Sequence, residues 1–279
     1  SYRSGITEIA RCVEQRPGPG PDLVALLTLQ ADLHLRLGEL ADAQRIVDRA
    51  AALADQVGVP DFDDMGVVRT MGELALRSDD PETAVRLAET ALSAGQATPR
   101  GEARLWNLAA IAHNAMGDPR AASVALDHCL RAEEAAGLET FLAATHGNYA
   151  EVLLALDDPV GAAVHQLAAL ERARSMGDST LIAYSQMIAA RFALEEGSAV
   201  DAVRMQSAAD VILSSEGISL YAVDAQQRLT LLEAAREVLD TVEFERARID
   251  GESSPADQLA DQTEATLRRR AASPSTTGG

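Results

Sequence analysis

The sequence predicts an all-α, right-handed solenoid of about five helical hairpins with a C-terminal helical cap. A short turn recurs at near-constant spacing, small residues recur at fixed offsets from that turn, and the chain is rich in Ala and Leu but only 3% aromatic. A fixed period of this length is the mark of stacked helical repeats, and close-packed helices favour small and aliphatic side chains.

The turn is seen in Met116-Gly117-Asp118-Pro119-Arg120-Ala121-Ala122. Its other copies begin at Leu37, Ser78, Leu156 and Glu196. Each places Gly or Asp at the turn position, 38, 79, 117, 157 and 197, with spacings of 41, 38, 40 and 40 residues. Gly adopts the left-handed conformation that ends a helix, and Asp tolerates it better than most residues. Asp80, Asp118 and Asp158 follow as N-caps, and Pro81, Pro119 and Pro159 stand at the first helical position, where a missing N–H costs nothing.

The offsets test this register. Seven residues before the turn lie Ala31, Gly72, Ala110, Ala150 and Ala190. Five after lie Ala43, Ala84, Ala122, Ala162 and Ala202, and twelve after lie Ala50, Ala91, Cys129, Ala169 and Ala209. All fifteen are small, as helices of a tight hairpin require.

Taken in order, residues 6–15 carry an amphipathic helix, the second half of a hairpin whose first half lies outside the sequence. Pro17-Gly18-Pro19-Gly20-Pro21 breaks it, closing a first segment at 1–21. Asp22 is placed to cap the next helix. The array proper, 22–217, then pairs 22–37 with 40–57, 63–77 with 80–95, 100–116 with 119–136, 139–156 with 159–176, and 179–196 with 199–216. Residues 59–64 form an acidic loop. The cap, 218–270, is read as a long helix over 221–239 without a partner of its type, a short helix, a turn at Gly251, and a last helix capped by Ser253 or Ser254 and ended by Arg268-Arg269-Arg270. Residues 271–279 read as a disordered tail.

Composition narrows the function. Formal net charge is −19, and all 24 basic residues are Arg. Without Lys, there is no P-loop lysine and no Schiff-base lysine. Strong acidity argues against direct nucleic-acid binding. No apolar run reaches the roughly 20 residues that span a bilayer. Cys12 and Cys129 lie far apart, Cys129 at a buried small position, so a reduced cytoplasm is the expected compartment. The absence of an initial Met and the start in mid-pattern read as a piece of a longer protein.

No catalytic constellation emerges, and the segment is not read as an enzyme. No metal or cofactor is assigned. His34 and His113, both four residues before a turn, are read as core or interfacial. No two of the five histidines (34, 113, 128, 146 and 165) lie at i,i+3 or i,i+4. Asp61, Asp63 and Asp64, Glu133 with Glu134, and Glu195 with Glu196 are read as solvated faces or caps.

The small-residue offsets and the Gly-Asp turn resemble the tetratricopeptide repeat. Trp106, eleven residues before Gly117, stands where that family places an aromatic; Leu27, Val68, His146 and Gln186 replace it in the other copies. The period exceeds the usual 34 residues by about six, so longer helices are expected. The resemblance implies that the first helix of each pair lines a concave groove. In that register Arg69, Glu73, Arg104, Asn107, Asn114, Glu151, Tyr184, Met187 and Arg191 point outward as candidate contacts for a peptide or small ligand.

The C-terminal stretch is similar to the ends of large actinobacterial regulators, in which a signal-transduction ATPase of the STAND class precedes a repeat array. Leu239, Phe244, Ala247, Gly251, Ser254 and Ala260 carry that likeness; Asp240 replaces the family's Gly, and Arg248 and Ile249 its following aromatic. The resemblance implies a sensor and protein-interaction domain acting on an ATPase module and a DNA-binding domain elsewhere in the protein. With no helix-turn-helix after this stretch, the expectation favours SARP-like or cyclase-linked regulators over the LuxR-like type with a C-terminal helix-turn-helix, and truncation explains that absence equally. The implied partners are a protein or peptide, the parent's own ATPase module included, or a small-molecule effector. The other reading is a stand-alone scaffold that holds a peptide in its groove.

Overall fold

The computed structural model describes residues 2–16, 18–58, 66–95 and 97–273, and those residues are all-helical. The expected acidic loop and the end of the tail, 274–279, lie outside them. The chain divides into two compact units, one of residues 1–139 with 216–219, the other of 140–215 with 220–279.

In the first unit, α1 (Tyr2–Glu14) packs on α2 (Pro21–Arg36), which pairs with α3 (Leu40–Val57). Then come the pairs α4 (Val67–Arg77) with α5 (Pro81–Ala94) and α6 (Pro99–Ala115) with α7 (Pro119–Ala136). First helices also touch one another, α2 on α4 and α4 on α6, as stacked hairpins must. In the second unit, α8 (Glu139–Ala155) precedes α9 (Pro159–Met176), and α10 (Ser179–Glu195) precedes α11 (Ala199–Glu216). One apolar core joins Ala150 of α8, Ala162 of α9, Ala190 of α10 and Ala202 of α11.

The turns are uniform. Gly38, Asp79, Gly117, Asp157 and Gly197 all have positive φ, between 57° and 82°. The next residue's N–H then bonds the carbonyl five back: Glu39 to His34, Asp80 to Ala75, Asp118 to His113, Asp158 to Leu153 and Ser198 to Ala193, at 2.7–2.9 Å. This is the Schellman closure that satisfies the helix's last carbonyls. Asp80, Asp118 and Asp158 accept the N–H of Thr83, Ala121 and Gly161 as caps. All fifteen small positions are buried. Cys129, one of them, donates its thiol to the Ala103 carbonyl, and neither Cys12 nor Cys129 is in a disulfide.

Asp22 does not cap α2: it lies inside the helix, pairs with Arg16, and leaves Gly20 as an N-cap with no side-chain bond.

The C-terminal region departs furthest from expectation. The helix α12 (Ala222–Val238) is followed by the expected short helix, α13 (Thr241–Ser253), opened by a capping box of Asp240 with Glu243. Phe244 and Ala247 of α13 pack with Ala235 of α12 and Val203 of α11. Gly251 does not turn the chain. It lies inside α13 against α11, where a Cβ would stand 2.3 Å from the Arg204 carbonyl oxygen. The next helix, α14 (Ala256–Ala271), is preceded by Pro255, with no side-chain cap. Ser253 and Ser254 instead bond back to the Ile249 and Asp250 carbonyls, ending α13. Rather than covering the end of the hairpin stack, α14 folds back onto α9 and α10. Leu267 enters the core beside Phe192, Arg174 holds Asp261 and Glu264, and Arg270 holds Glu195. Ala271, assigned above to the tail, is the last residue of α14.

Candidate ligand face on the first helices

One residue place recurs on the first helices, and the residues there stand six before each turn. They are Asp32, Glu73, Ile111, Glu151 and Arg191. In the first unit Asp32 of α2 reaches α4, where it pairs with Arg69 and accepts Thr70 Oγ1 at 2.6 Å. Arg104 of α6 approaches the same place: its Nη1 and the Arg69 Nε each lie 3.5 Å from the Cβ position of Gly66, which precedes α4. The candidate residues Arg69 and Arg104 are therefore brought together. Glu73 is turned along its own helix to Arg77 at 3.0 Å, and Arg77 donates to the Ser219 carbonyl at 3.1 Å. Asn107 and Asn114 are half-buried on α6.

In the second unit three first helices meet at one guanidinium. Arg191 Nη1 of α10 donates to Glu151 Oε2 of α8 at 3.2 Å and to Gln227 Oε1 of α12 at 3.1 Å. About 30% of each charged side chain still meets solvent, 29% for Arg191 and 32% for Glu151. Burial among the surrounding helices nevertheless pushes the Glu151 carboxyl above its ordinary pKa, and the charge and hydrogen bond of Arg191 offset this only in part. Such a shift beside a specific partner occurs in functional sites and in structural ion pairs alike. Tyr184 lies half-buried two helical turns back on α10. Met187 does not point outward. It is 8% exposed, because α10 is enclosed on several sides and buries nearly every residue of its central turns.

Asp32, Thr70 and Gln227 were not among the candidates. Asp32 was legible, since it shares with Glu151 the place six before the turn. Gln227 was not, because its contribution depends on α12 continuing the stack.

The histidines divide. His34 is buried, as expected, but His113 is only half-buried. His128 stacks on Trp106, ring centroids 4.4 Å apart. His146 of α8 and His165 of α9 place their Nδ1 atoms 3.0 Å apart, with the Tyr149 ring 4.4 Å from His165. Same-helix spacing missed this pair because it forms across a hairpin. Burial, with His165 and Arg172 nearby, lowers the His146 pKa to about 4. Of the acidic clusters, Glu195 and Glu196 pair with Arg270 and Arg269, while Glu133 is buried rather than solvated.

Comparison with protein-family models and with curated proteins finds no match. No described helix is long and apolar enough to cross a membrane.

Proposed function

We propose that this chain is a tetratricopeptide-like interaction module, a right-handed solenoid of hairpins whose first-helix face receives a peptide or small ligand. The observation that carries it is Arg191, held between Glu151 and Gln227 where α8, α10 and α12 meet. Burial raises the Glu151 carboxyl more than Arg191 lowers it, and an ammonium, guanidinium or amide N–H of a ligand would further favour its charged form. The net charge of −19 favours the same kind of partner through long-range attraction.

Within that reading, the module belongs to a STAND-type transcriptional regulator, where ligand binding biases an ATPase between states. Such coupling requires different affinity for the two states. The support is the C-terminal likeness: Phe244, Ala247 and Gly251 form the buried face of α13, so the residues that carry the resemblance also build the fold there. A cytoplasmic site of action belongs to this same reading. The other class, a scaffold holding a peptide constitutively, uses the same face. The two separate on the sequence immediately upstream of Ser1: a nucleotide-binding module supports the regulator, and a further repeat array or unstructured start supports the scaffold.

The binding claim is tested by thermal shift of the chain against basic and amidated peptides and cationic metabolites. A ligand that binds the folded state raises the melting temperature by mass action. The expected result is a rise in the wild type that Glu151→Gln abolishes and Arg191→Ala, which leaves the carboxylate without its orienting partner, alters. A rise that both variants keep places the ligand elsewhere and refutes this face.

A further inference from the structure

The first turn differs from its counterparts in one residue's behaviour. Glu39 stands where Asp80, Asp118 and Asp158 cap their helices, yet it makes no cap bond. Its Oε2 lies 2.7 Å from Nδ1 of His34, on the helix before the turn, and its Oε1 is held by Arg3 of α1 at 2.9 Å. Asp42, in the first turn of α3, brings a second carboxylate to the same point. Ligand atoms of His34, Glu39 and Asp42 all lie within 4.8 Å of one another.

We propose that His34, Glu39 and Asp42 bind a divalent transition-metal cation of the zinc type. One imidazole nitrogen and two carboxylate oxygens form a donor set suited to Zn²⁺, Co²⁺ or Fe²⁺, and the imidazole disfavours Ca²⁺ and Mg²⁺. Two carboxylates balance the ion's charge. Metal–donor bonds of about 2.0–2.2 Å bring tetrahedral donors to roughly 3.3 Å from one another. The His34–Glu39 pair already lies near that spacing, and Asp42, half of whose side chain meets solvent, closes by rotation. Arg3 holds the outer oxygen of Glu39, and Arg45 holds one oxygen of Asp42 at 2.9 Å. Such partners orient ligating carboxylates. His34 is buried and fixed, while the Asp42 side is open, so an ion enters from solvent and retains a position for water or a ligand. Binding uses His34 with Nδ1 unprotonated and the proton on Nε2. The ion would join α2 to α3 through the turn and, by way of Glu39 and Arg3, engage α1.

Sequence spacing within one helix does not reveal this set, because His34, Glu39 and Asp42 follow one another across a helix–turn–helix. His113 shares the register of His34, but Asp118 five residues on is engaged as a cap and Ala121 stands where Asp42 would.

The test is titration of the metal-free chain with Co²⁺, read by visible ligand-field absorption and by equilibrium dialysis. One Co²⁺ per chain is expected, displaced by Zn²⁺. His34→Gln and Asp42→Asn should each weaken binding about tenfold or more. Asp42→Asn removes one oxygen at an exposed position, so its melting temperature without metal should match the wild type. His146→Gln serves as control and should bind as the wild type does. Absence of stoichiometric binding overturns the proposal. So does binding that survives His34→Gln and Asp42→Asn but is lost in His146→Gln, which would place the ion at the His146–His165 pair.

Discussion

Arg191 and Glu151 face each other across successive first helices at 3.2 Å, in a pair from which solvent is only partly excluded. Removing the guanidinium leaves the carboxylate buried without its counter-charge. Arg191→Ala should destabilise the chain by about 1–2 kcal/mol, less than for a fully buried pair because a third of each side chain is wetted. Glu151→Gln on top of Arg191→Ala should recover most of the loss, as a double-mutant cycle in urea would show. The pH dependence has a definite sign. A carboxyl whose pKa is raised in the folded state binds its proton more tightly there, so its protonation favours folding. The stability gained is complete below the ordinary carboxyl pKa of 4.5 and is lost as pH rises through the folded value. The cost of Arg191→Ala should therefore shrink as pH is lowered into the carboxyl range.

His146 and His165 give the opposite trend. The His146 pKa falls from 6.5 to about 4 in the folded chain, so the unfolded chain binds the proton first. Stability from this neutral imidazole is complete above 6.5 and is lost as pH falls from there to about 4. Urea midpoints of the wild type should decline across that window, and His146→Gln should flatten the decline.

Two glycines should respond oppositely to alanine. At Gly251 a Cβ would stand 2.3 Å from the Arg204 carbonyl oxygen, a backbone atom that cannot swing aside. Gly251→Ala should cost about 1–3 kcal/mol through displacement of α13. Nothing lies within 4 Å of a Cβ at Gly147, inside α8, and Gly147→Ala should stabilise by roughly 0.5–1 kcal/mol through helix propensity. Calorimetric melting of both variants checks the contrast.

Caps separate the turn residues from the serines at the C-terminal end. Asp118→Ala removes a cap that accepts the Ala121 N–H at 3.0 Å and should cost about 1 kcal/mol. Ser254→Ala removes only a bond to the Asp250 carbonyl at an exposed helix end, and the melting temperature should scarcely move.

What was legible in the sequence was local or periodic. The Gly or Asp at each turn and the fifteen small positions follow from backbone conformation and close approach, which recur in every copy and so leave a pattern, and the Asp-Pro caps recur in three copies. The helix limits from Pro21 to Glu216 followed from the same punctuation except at α4, which begins at Val67 after Gly66, the expected start at 63 lying outside the described residues. What escaped depends on partners distant in sequence. Gly251 reads as a breaker until Arg204 is beside it. The apolar residues of α14 do not disclose that they pack on α9 and α10 rather than on the end of the stack. His146 and His165 lie 19 residues apart, outside any same-helix metal spacing, and meet only because α8 and α9 form a hairpin. On the first-helix face, the pairing places of Glu151 and Arg191 follow the repeat register. Met187 was misplaced because the register assumes an open face, whereas α10 is enclosed on several sides.

The central claim is that first-helix residues receive a ligand, and the most direct measurement is a thermal-shift screen of the wild type beside Glu151→Gln and Arg191→Ala. A compound or peptide that raises the wild-type melting temperature should lose its effect in at least one variant, with that variant's own unliganded melting temperature as reference. A shift retained in full by both variants, or no shift with any basic, amidated or cationic ligand, would contradict the claim.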